Sequence, residues 1–150
     1  MARTPAVEIF QVTPDDQVLG IAEIVRKNVS AETFAPEVAA ILAREFGASY
    51  RFEWCAVDPT AFNPHDTSEV HWAETFEAKT GVPCIPGRSN KLEPRLQSVE
   101  NRLLRYLPVD GRNVPKAARG GPQGRPAMLI SPAQRILRRG FNSGYMFERV

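Results

Sequence analysis

The sequence predicts an α/β protein built on a mixed β-sheet with helices on both faces. Two strand-like segments come first, and segments with helical and strand spacing then alternate along the chain. A leading hairpin followed by alternating α and β units is typical of such a sheet. The 150 residues are 43% hydrophobic and 24% charged, as expected for one globular domain. No apolar run approaches the roughly 20 residues that span a bilayer, so no membrane partner is expected.

The first two strands are predicted at 6–12 and 17–25. In the first, Val7 and Ile9 lie on one face and Phe10 and Val12 on the other, and the intervening Thr-Pro-Asp-Asp is typical of a turn, so the strands should pair as an antiparallel hairpin. Apolar residues at helical spacing predict a helix at 33–46. Pro36 fits its first turn, where a missing N–H costs little, and Gly47 is a natural C-terminal stop.

The aromatic and β-branched segment 50–58 predicts the next strand, because it runs directly into Pro59, which cannot continue a ladder. Asp58 lies at its carboxyl end. Ligands and catalytic groups collect at that edge of α/β sheets, which makes Asp58 a candidate site residue. An aspartate before a proline also commonly opens a turn, and this stretch fits both roles equally.

The second half of the chain continues the alternation. The predicted elements are a polar loop at 59–67, a helix at 68–80, a short edge strand at 82–85, a helix at 91–107, a basic Pro/Gly-rich loop at 108–126, a strand at 127–130, a helix at 132–140, a turn at 141–145 and a strand at 146–150. The helix at 91–107 has an apolar stripe of Leu92, Leu96, Val99, Leu103 and Leu107, and a basic edge of Lys91, Arg95, Arg102 and Arg105.

The net charge of +2 conceals a strong asymmetry. Residues 1–81 carry six Lys and Arg against thirteen Asp and Glu, whereas residues 82–150 carry thirteen against four. Fifteen of the nineteen cations are arginine, whose planar fork matches phosphate oxygens. A basic half with this bias favours a polyanionic partner such as nucleic acid, and solvated helix faces are the alternative explanation.

Several common sites are not supported. The glycine-rich run 120–124 lacks the lysine and the strand-to-helix setting of a nucleotide loop, and no Gly-x-Ser-x-Gly motif occurs. His65, His71, Cys55 and Cys84 lack the short paired spacings of a zinc site. The two cysteines are better explained as small core residues in a reducing cytoplasm.

A hard divalent cation at Asp58 is the best chemical candidate. Magnesium is usually bound by one or two carboxylates together with water and substrate phosphate. Asp66 lies near Asp58 in sequence, and Glu8 or Glu23 could approach across a sheet. These residues alone do not assemble the several carboxylates that a two-metal nuclease requires.

Four short segments span nearly the whole chain in a moderately specific order. They are Arg-Thr-Pro-Ala at 3–6 leading into the strand through 11, Ala-Val-Asp-Pro at 56–59, Asn90 with Arg95 and Val99, and Pro-Ala-Met-Leu-Ile-Ser-Pro at 126–132 running into Arg-Gly-Phe-Asn-Ser-Gly-Tyr at 139–145. Together they resemble the nuclease domain of the large terminase subunit of tailed bacteriophages, which has an RNase H-like fold.

The resemblance implies a DNA-packaging endonuclease that cleaves double-stranded DNA concatemers with Mg²⁺ or Mn²⁺ in the bacterial host cytoplasm. Asp58 matches the middle acid of the family's metal-binding set and is the implied catalytic and metal-binding residue. The first acid, expected before the Thr-Pro-Ala segment, and the last, expected beyond the Gly-Tyr segment, have no counterpart here. The resemblance therefore implies a domain truncated at both ends, with an incomplete RNase H-like sheet, and enzymatic activity stays open.

The implied partners are double-stranded DNA and other packaging components, namely the terminase ATPase domain, the small subunit and the portal. The residues expected to contact DNA are Arg88, Lys91, Arg95, Arg112, Lys116, Arg119 and Arg125. Two alternatives remain. The chain could be a non-catalytic module that binds DNA or a packaging protein, or a decayed prophage fragment.

Overall fold

The computed structural model describes residues 4–63, 71–89, 91–107 and 125–144. The predicted loop 108–126 and strand 146–150 therefore lie largely or wholly outside the described residues. The strands are β1 (Ala6–Val12), β2 (Val18–Val25), β3 (Cys55–Val57), β4 (Cys84–Pro86), β5 (Tyr106–Leu107), β6 (Arg125–Pro126) and β7 (Met128–Ile130), and the helices are α1 (Ala31–Phe46), α2 (Trp72–Thr80), α3 (Leu92–Leu103) and α4 (Arg135–Arg139). Short 3₁₀ helices at Gly47–Ser49 and Pro59–Phe62 follow α1 and β3, and a short π-helix at Gly140–Gly144 follows α4.

The α/β prediction is confirmed, but the strands do not join one sheet within the described residues. They form a three-stranded sheet in the order β1-β2-β7 and two separate pairs, β3-β4 and β5-β6. The three-stranded sheet is mixed: β2 and β7 are parallel. The hydrogen bonds Thr13 N to Gln17 O and Arg26 N to Pro5 O bracket the antiparallel hairpin that the sequence predicts.

The chain divides into two compact units whose segments interleave in sequence. Among the described residues, the first unit contains those of Val25–Arg95, and the second contains Ala6–Ile24 with those from Leu96 onward. The first unit therefore holds α1, β3, α2 and β4. The second holds β1, most of β2, and β5, β6, β7 and α4.

An aromatic core holds the first unit together. Phe34 of α1 is fully buried, and its ring lies 6.5 Å from Trp72 and 6.4 Å from Phe76 on α2. Trp72 stacks on Phe76 with a centroid distance of 5.1 Å. Burial of several aromatic rings removes a large apolar area from water, so the α1–α2 contact is the main source of stability in this unit.

The segment β3-α2-β4 forms a parallel β-α-β unit. Cys55 is in register with Cys84, and Val57 with Pro86. Parallel neighbours need a crossover connection, which α2 supplies here. Gly81 ends α2 in the left-handed conformation at φ 70°, and Glu77 accepts a hydrogen bond from Cys84 N at 2.8 Å, which ties the helix to the start of β4.

The predicted strand 50–58 is wrong over most of its length, since only Cys55–Val57 pairs with a neighbour. Tyr50 and Phe52 instead direct their rings edge-on to Phe46, both at 5.4 Å. Phe46 thus gives both rings a packing partner without a ladder, although Tyr50 stays 60% exposed. α1 begins two residues before the predicted start, which places Pro36 beyond its first turn.

The second unit has a polar residue in its core. Gln134, before α4, is fully buried and donates from Nε2 to Glu8 Oε2 at 2.9 Å and Ala22 O at 3.3 Å. A Cβ added at Gly20 would lie 2.2 Å from Gln134 Oε1. Glycine at position 20 therefore allows this glutamine to approach β2 closely.

The predicted helix 91–107 ends early, at Leu103. Tyr106 and Leu107 instead form β5, which pairs antiparallel with Arg125 and Pro126 of β6. Leu107 is only 4% exposed in that pairing. Its burial in the strand outweighs the helical propensity of the segment, which would have favoured another helical turn. Two members of the predicted apolar stripe, Leu96 and Leu103, are 59% and 42% exposed.

Among the described residues, no helix combines the length and the apolar character needed to cross a bilayer.

Replacement of Phe34 by alanine should destabilise the protein by about 3–5 kcal/mol, because it leaves a large cavity between α1 and α2. Urea unfolding followed by tryptophan fluorescence and circular dichroism measures this loss. Trp54→Ala is the control, since Trp54 is 57% exposed and its removal should cost far less. Equal losses in the two variants would contradict the assignment of the core.

Candidate functional site

The carboxyl ends of β3 and β4 form one edge of their parallel pair. Asp58 follows β3 directly, and Gly87 and Arg88 follow β4. Gly87 N donates to Val57 O at 2.7 Å, which extends the pairing to the base of both loops. The edge therefore presents an exposed carboxylate and an exposed guanidinium from neighbouring strands, as open α/β folds present their ligand-binding groups.

Asp58 has a fixed orientation. Its Oδ1 accepts hydrogen bonds from Thr60 N at 2.9 Å and from Thr60 Oγ1 at 2.6 Å. These contacts make Asp58 the N-cap of the 3₁₀ turn Pro59–Phe62. The turn-forming role considered for this aspartate is thus present, and the same bonds hold its carboxylate at the strand edge.

Gly87 fits the edge sterically. A Cβ at this position would lie 3.3 Å from Val57 O, tighter than most Cβ contacts, and 3.9 Å from Pro59 Cδ, an ordinary van der Waals distance. Glycine lets the loop after β4 pass close to the backbone beside Asp58.

Five of the other residues predicted to contact DNA fall into three groups. Lys91 is exposed and continues the same loop, with its N–H bonded to Ser89 Oγ at 3.0 Å. Arg95 lies in α3, and its side chain is outside the described part of the structure. Arg112, Lys116 and Arg119 lie outside the described residues, as do Asp66, His65 and Asn90.

Arg125 occupies a different setting from the one that the sequence suggests. It begins β6 in the second unit and forms an ion pair with Asp15 in the hairpin turn. Asp16, the next residue of the turn, pairs with Arg105 at 2.6 Å and with Arg102 at 3.0 Å. Part of the basic half is therefore neutralised locally by two carboxylates of the acidic half.

The sequence did not predict these ion pairs, because the partners are far apart in the chain: Asp16 is separated from Arg102 by 86 residues and from Arg105 by 89. The only available signal was the Asp-Asp pair in a predicted turn, which polar turn chemistry already explains. Hydrogen bonds from Arg105 and Arg102 hold the pKa of Asp16 below its usual value, so this carboxylate stays charged throughout the neutral range.

Glu8 and Glu23, the other candidate ligands, have structural roles within the second unit. Glu8 accepts the Gln134 hydrogen bond, and burial raises its pKa. Glu23 accepts hydrogen bonds from the N–H groups of Ile136 and Leu137 at 2.8 and 3.0 Å and so caps α4. In the ranges that the structure describes, no group of three or more His, Cys, Asp or Glu could hold a metal ion.

The two cysteines are half-buried thiols in register on β3 and β4. Burial raises the pKa of Cys55 and raises that of Cys84 to about 12. Thiols in this state are poor nucleophiles at neutral pH. They are small, partly buried residues of the β-α-β unit, so the sequence-based expectation of core cysteines holds only in part.

No protein-family model matches the chain, and no curated protein or solved structure is significantly similar to it.

Two substitutions of Asp58 should differ in their effect on the free energy of unfolding. Asp58→Ala removes the acceptor for both Thr60 bonds and should cost about 1 kcal/mol, the usual size of an N-cap effect. Asp58→Asn retains an acceptor oxygen and should be nearly neutral. Urea unfolding curves of the two variants test this, and an equal loss in both would show that the negative charge, rather than the hydrogen bonds, maintains the turn.

Proposed function

We propose that the chain is an RNase H-like, DNA-binding module of the phage terminase nuclease type, in which the β3–β4 edge contacts phosphodiester groups and Asp58 holds a divalent metal ion. The observation that carries this proposal is the placement of Asp58 and Arg88 at the same edge of a parallel pair. A metal-bound phosphate needs both an anionic ligand for the ion and a cation for the phosphate oxygens.

Asp58 fits a hard metal ion as a single anchoring ligand. Its carboxylate is exposed, and the two bonds from Thr60 restrict its rotation, as outer groups do for ligands in metal sites. Mg²⁺ is commonly held by one or two carboxylates while it keeps several waters and takes phosphate oxygens from substrate. When bound, such an ion would neutralise phosphate charge and polarise the phosphorus centre.

Arg88 and Lys91 supply the phosphate contacts in this proposal. Both are exposed, both follow β4, and neither has a resolved ion-pair partner among the described residues. A guanidinium can bind a phosphate with two parallel hydrogen bonds, whereas an ammonium acts as a point charge. Because such contacts reach only the phosphate backbone of DNA and not the base edges, binding should show little sequence preference.

A second candidate is a non-catalytic DNA-binding or packaging-protein-binding module with the same edge. It is favoured by the cap that Asp58 forms, since the hydrogen bonds from Thr60 give this residue a structural role without a metal. If the second candidate binds DNA, the two share that property and differ in whether a divalent ion binds at Asp58; if it binds a packaging protein, they differ in DNA binding as well.

Double-stranded DNA should bind with weak sequence preference and with an affinity that falls steeply as salt rises, because each neutralised phosphate releases a counterion. Fluorescence anisotropy with two unrelated duplexes at two salt concentrations measures this. Arg88→Gln with Lys91→Gln should lower the affinity and flatten the salt dependence. No binding at low salt, or binding unchanged by salt, would remove the nucleic-acid proposal.

Nicking of supercoiled plasmid by the chain alone should be absent or very weak with Mg²⁺ or Mn²⁺. One carboxylate cannot hold two divalent ions about 4 Å apart, which two-metal cleavage requires. The comparison is between wild type and Asp58→Asn. Strong cutting that is lost in the variant would show that further carboxylates complete the site, and strong cutting in both would assign it to another site or a contaminant.

A further inference from the structure

We infer that Arg102, Arg105 and Arg125 form a second phosphate-binding site, and that the Asp15–Asp16 turn is a built-in competitor that occupies it. The inference rests on the proposed function for the nature of its main ligand, a phosphodiester backbone. It concerns the second unit, whereas the proposed edge site lies in the first.

Three guanidinium groups converge on two adjacent carboxylates. Asp16 Oδ2 is shared by Arg105 Nη1 at 2.6 Å and Arg102 Nη1 at 3.0 Å, and Arg102 Nη1 also donates to Asp16 O at 3.2 Å. Arg125 Nη2 pairs with Asp15 Oδ2. The cluster thus has three positive and two negative charges, and it remains attractive to an anion after internal pairing.

The cluster is open to solvent. Side-chain exposure is 37% for Arg102, 48% for Arg105 and 45% for Arg125, and 44–45% for the two aspartates. Ion pairs with this exposure contribute little to stability, so an incoming anion can replace them at small cost. Each guanidinium has five N–H donors, and the ion pairs to the turn engage one nitrogen of each.

A phosphate group matches this arrangement better than a carboxylate does. It offers several oxygens with tetrahedral geometry, and three converging arginines can bind more than one of them. The carboxylates that hold the arginines together would repel that phosphate across a few ångströms. The turn therefore preorganises the arginines and at the same time lowers their affinity for a phosphate.

The turn allows a clean test, because its backbone does not require the charges. Asp16 has a positive φ of 68°, a conformation that asparagine adopts as readily as aspartate. Asp15 Oδ1 accepts a hydrogen bond from Thr13 Oγ1, and an asparagine oxygen can accept the same bond. Asp15→Asn with Asp16→Asn therefore removes two charges and keeps the shape of the hairpin.

The matched control is Glu45→Gln with Glu53→Gln. It changes the net charge by the same amount, both residues are exposed, and Glu45 also pairs with an arginine, Arg44. Any gain caused only by a more positive protein should appear equally in this control. A local competitor should produce a gain only in the turn variant.

The experiment measures the affinity of wild type, the turn variant and the control for a short DNA duplex at low salt. Separately, it measures the rise in Tm on addition of inorganic tripolyphosphate. The turn variant should bind DNA about threefold to tenfold more tightly than the control, as expected when two like charges near a bound phosphate are removed. Tripolyphosphate should also stabilise it more than the control.

Addition of Arg102→Gln, Arg105→Gln and Arg125→Gln to the turn variant should abolish both gains. A gain that survives these changes, or a turn variant equal to the control in both assays, overturns the inference and leaves the proposed function untouched. If no protein binds DNA but the turn variant alone responds to tripolyphosphate, the site exists for free polyphosphates and the proposed function fails instead.

Discussion

The parallel pairing of β3 with β4 is the constraint on which the candidate site depends. Two three-residue strands cannot hold together alone, so the pair relies on α2, which packs on α1 through Phe34, Trp72 and Phe76. The hydrogen bond from Gly87 N to Val57 O then fixes where both strands end. Asp58 and Arg88 occupy the same edge because of this register, and a shift of one residue would turn alternate side chains to the opposite face.

Charge is distributed less simply than the two halves of the sequence suggest. The basic half contributes Arg102, Arg105 and Arg125 to ion pairs with the acidic hairpin turn, so a count of arginines overstates the unpaired positive charge at the surface. The exposed cations after β4 carry no such resolved pairing in the described residues. If the chain binds a polyanion as proposed, its affinity would depend on how easily phosphate replaces carboxylate, as well as on net charge.

Local features of the sequence predicted the structure well where local interactions decide it. The strand 6–12 has the predicted bounds, because alternation and a turn are encoded within a few residues. Tertiary contacts that a periodic pattern does not reveal account for the failures. The rings of Tyr50 and Phe52 pack on nearby Phe46 outside any ladder, and Tyr106 and Leu107 pair with β6, which is distant in the chain, in place of a last helical turn. The placement of Asp58 at a strand end was predictable. The placement of Arg88 at the same edge was not, because it depends on β3 and β4 being adjacent and parallel.

The central claim is that a divalent ion binds at the β3–β4 edge through Asp58, and localised backbone cleavage tests it most directly. Fe²⁺ replaces Mg²⁺ in many oxygen-ligand sites, and with ascorbate and peroxide it cuts the nearby polypeptide. The account predicts fragments that end near residues 57–60 and 86–89, suppressed by excess Mg²⁺ and absent in Asp58→Asn. Cleavage at other positions, or the same fragments in the variant, would contradict it.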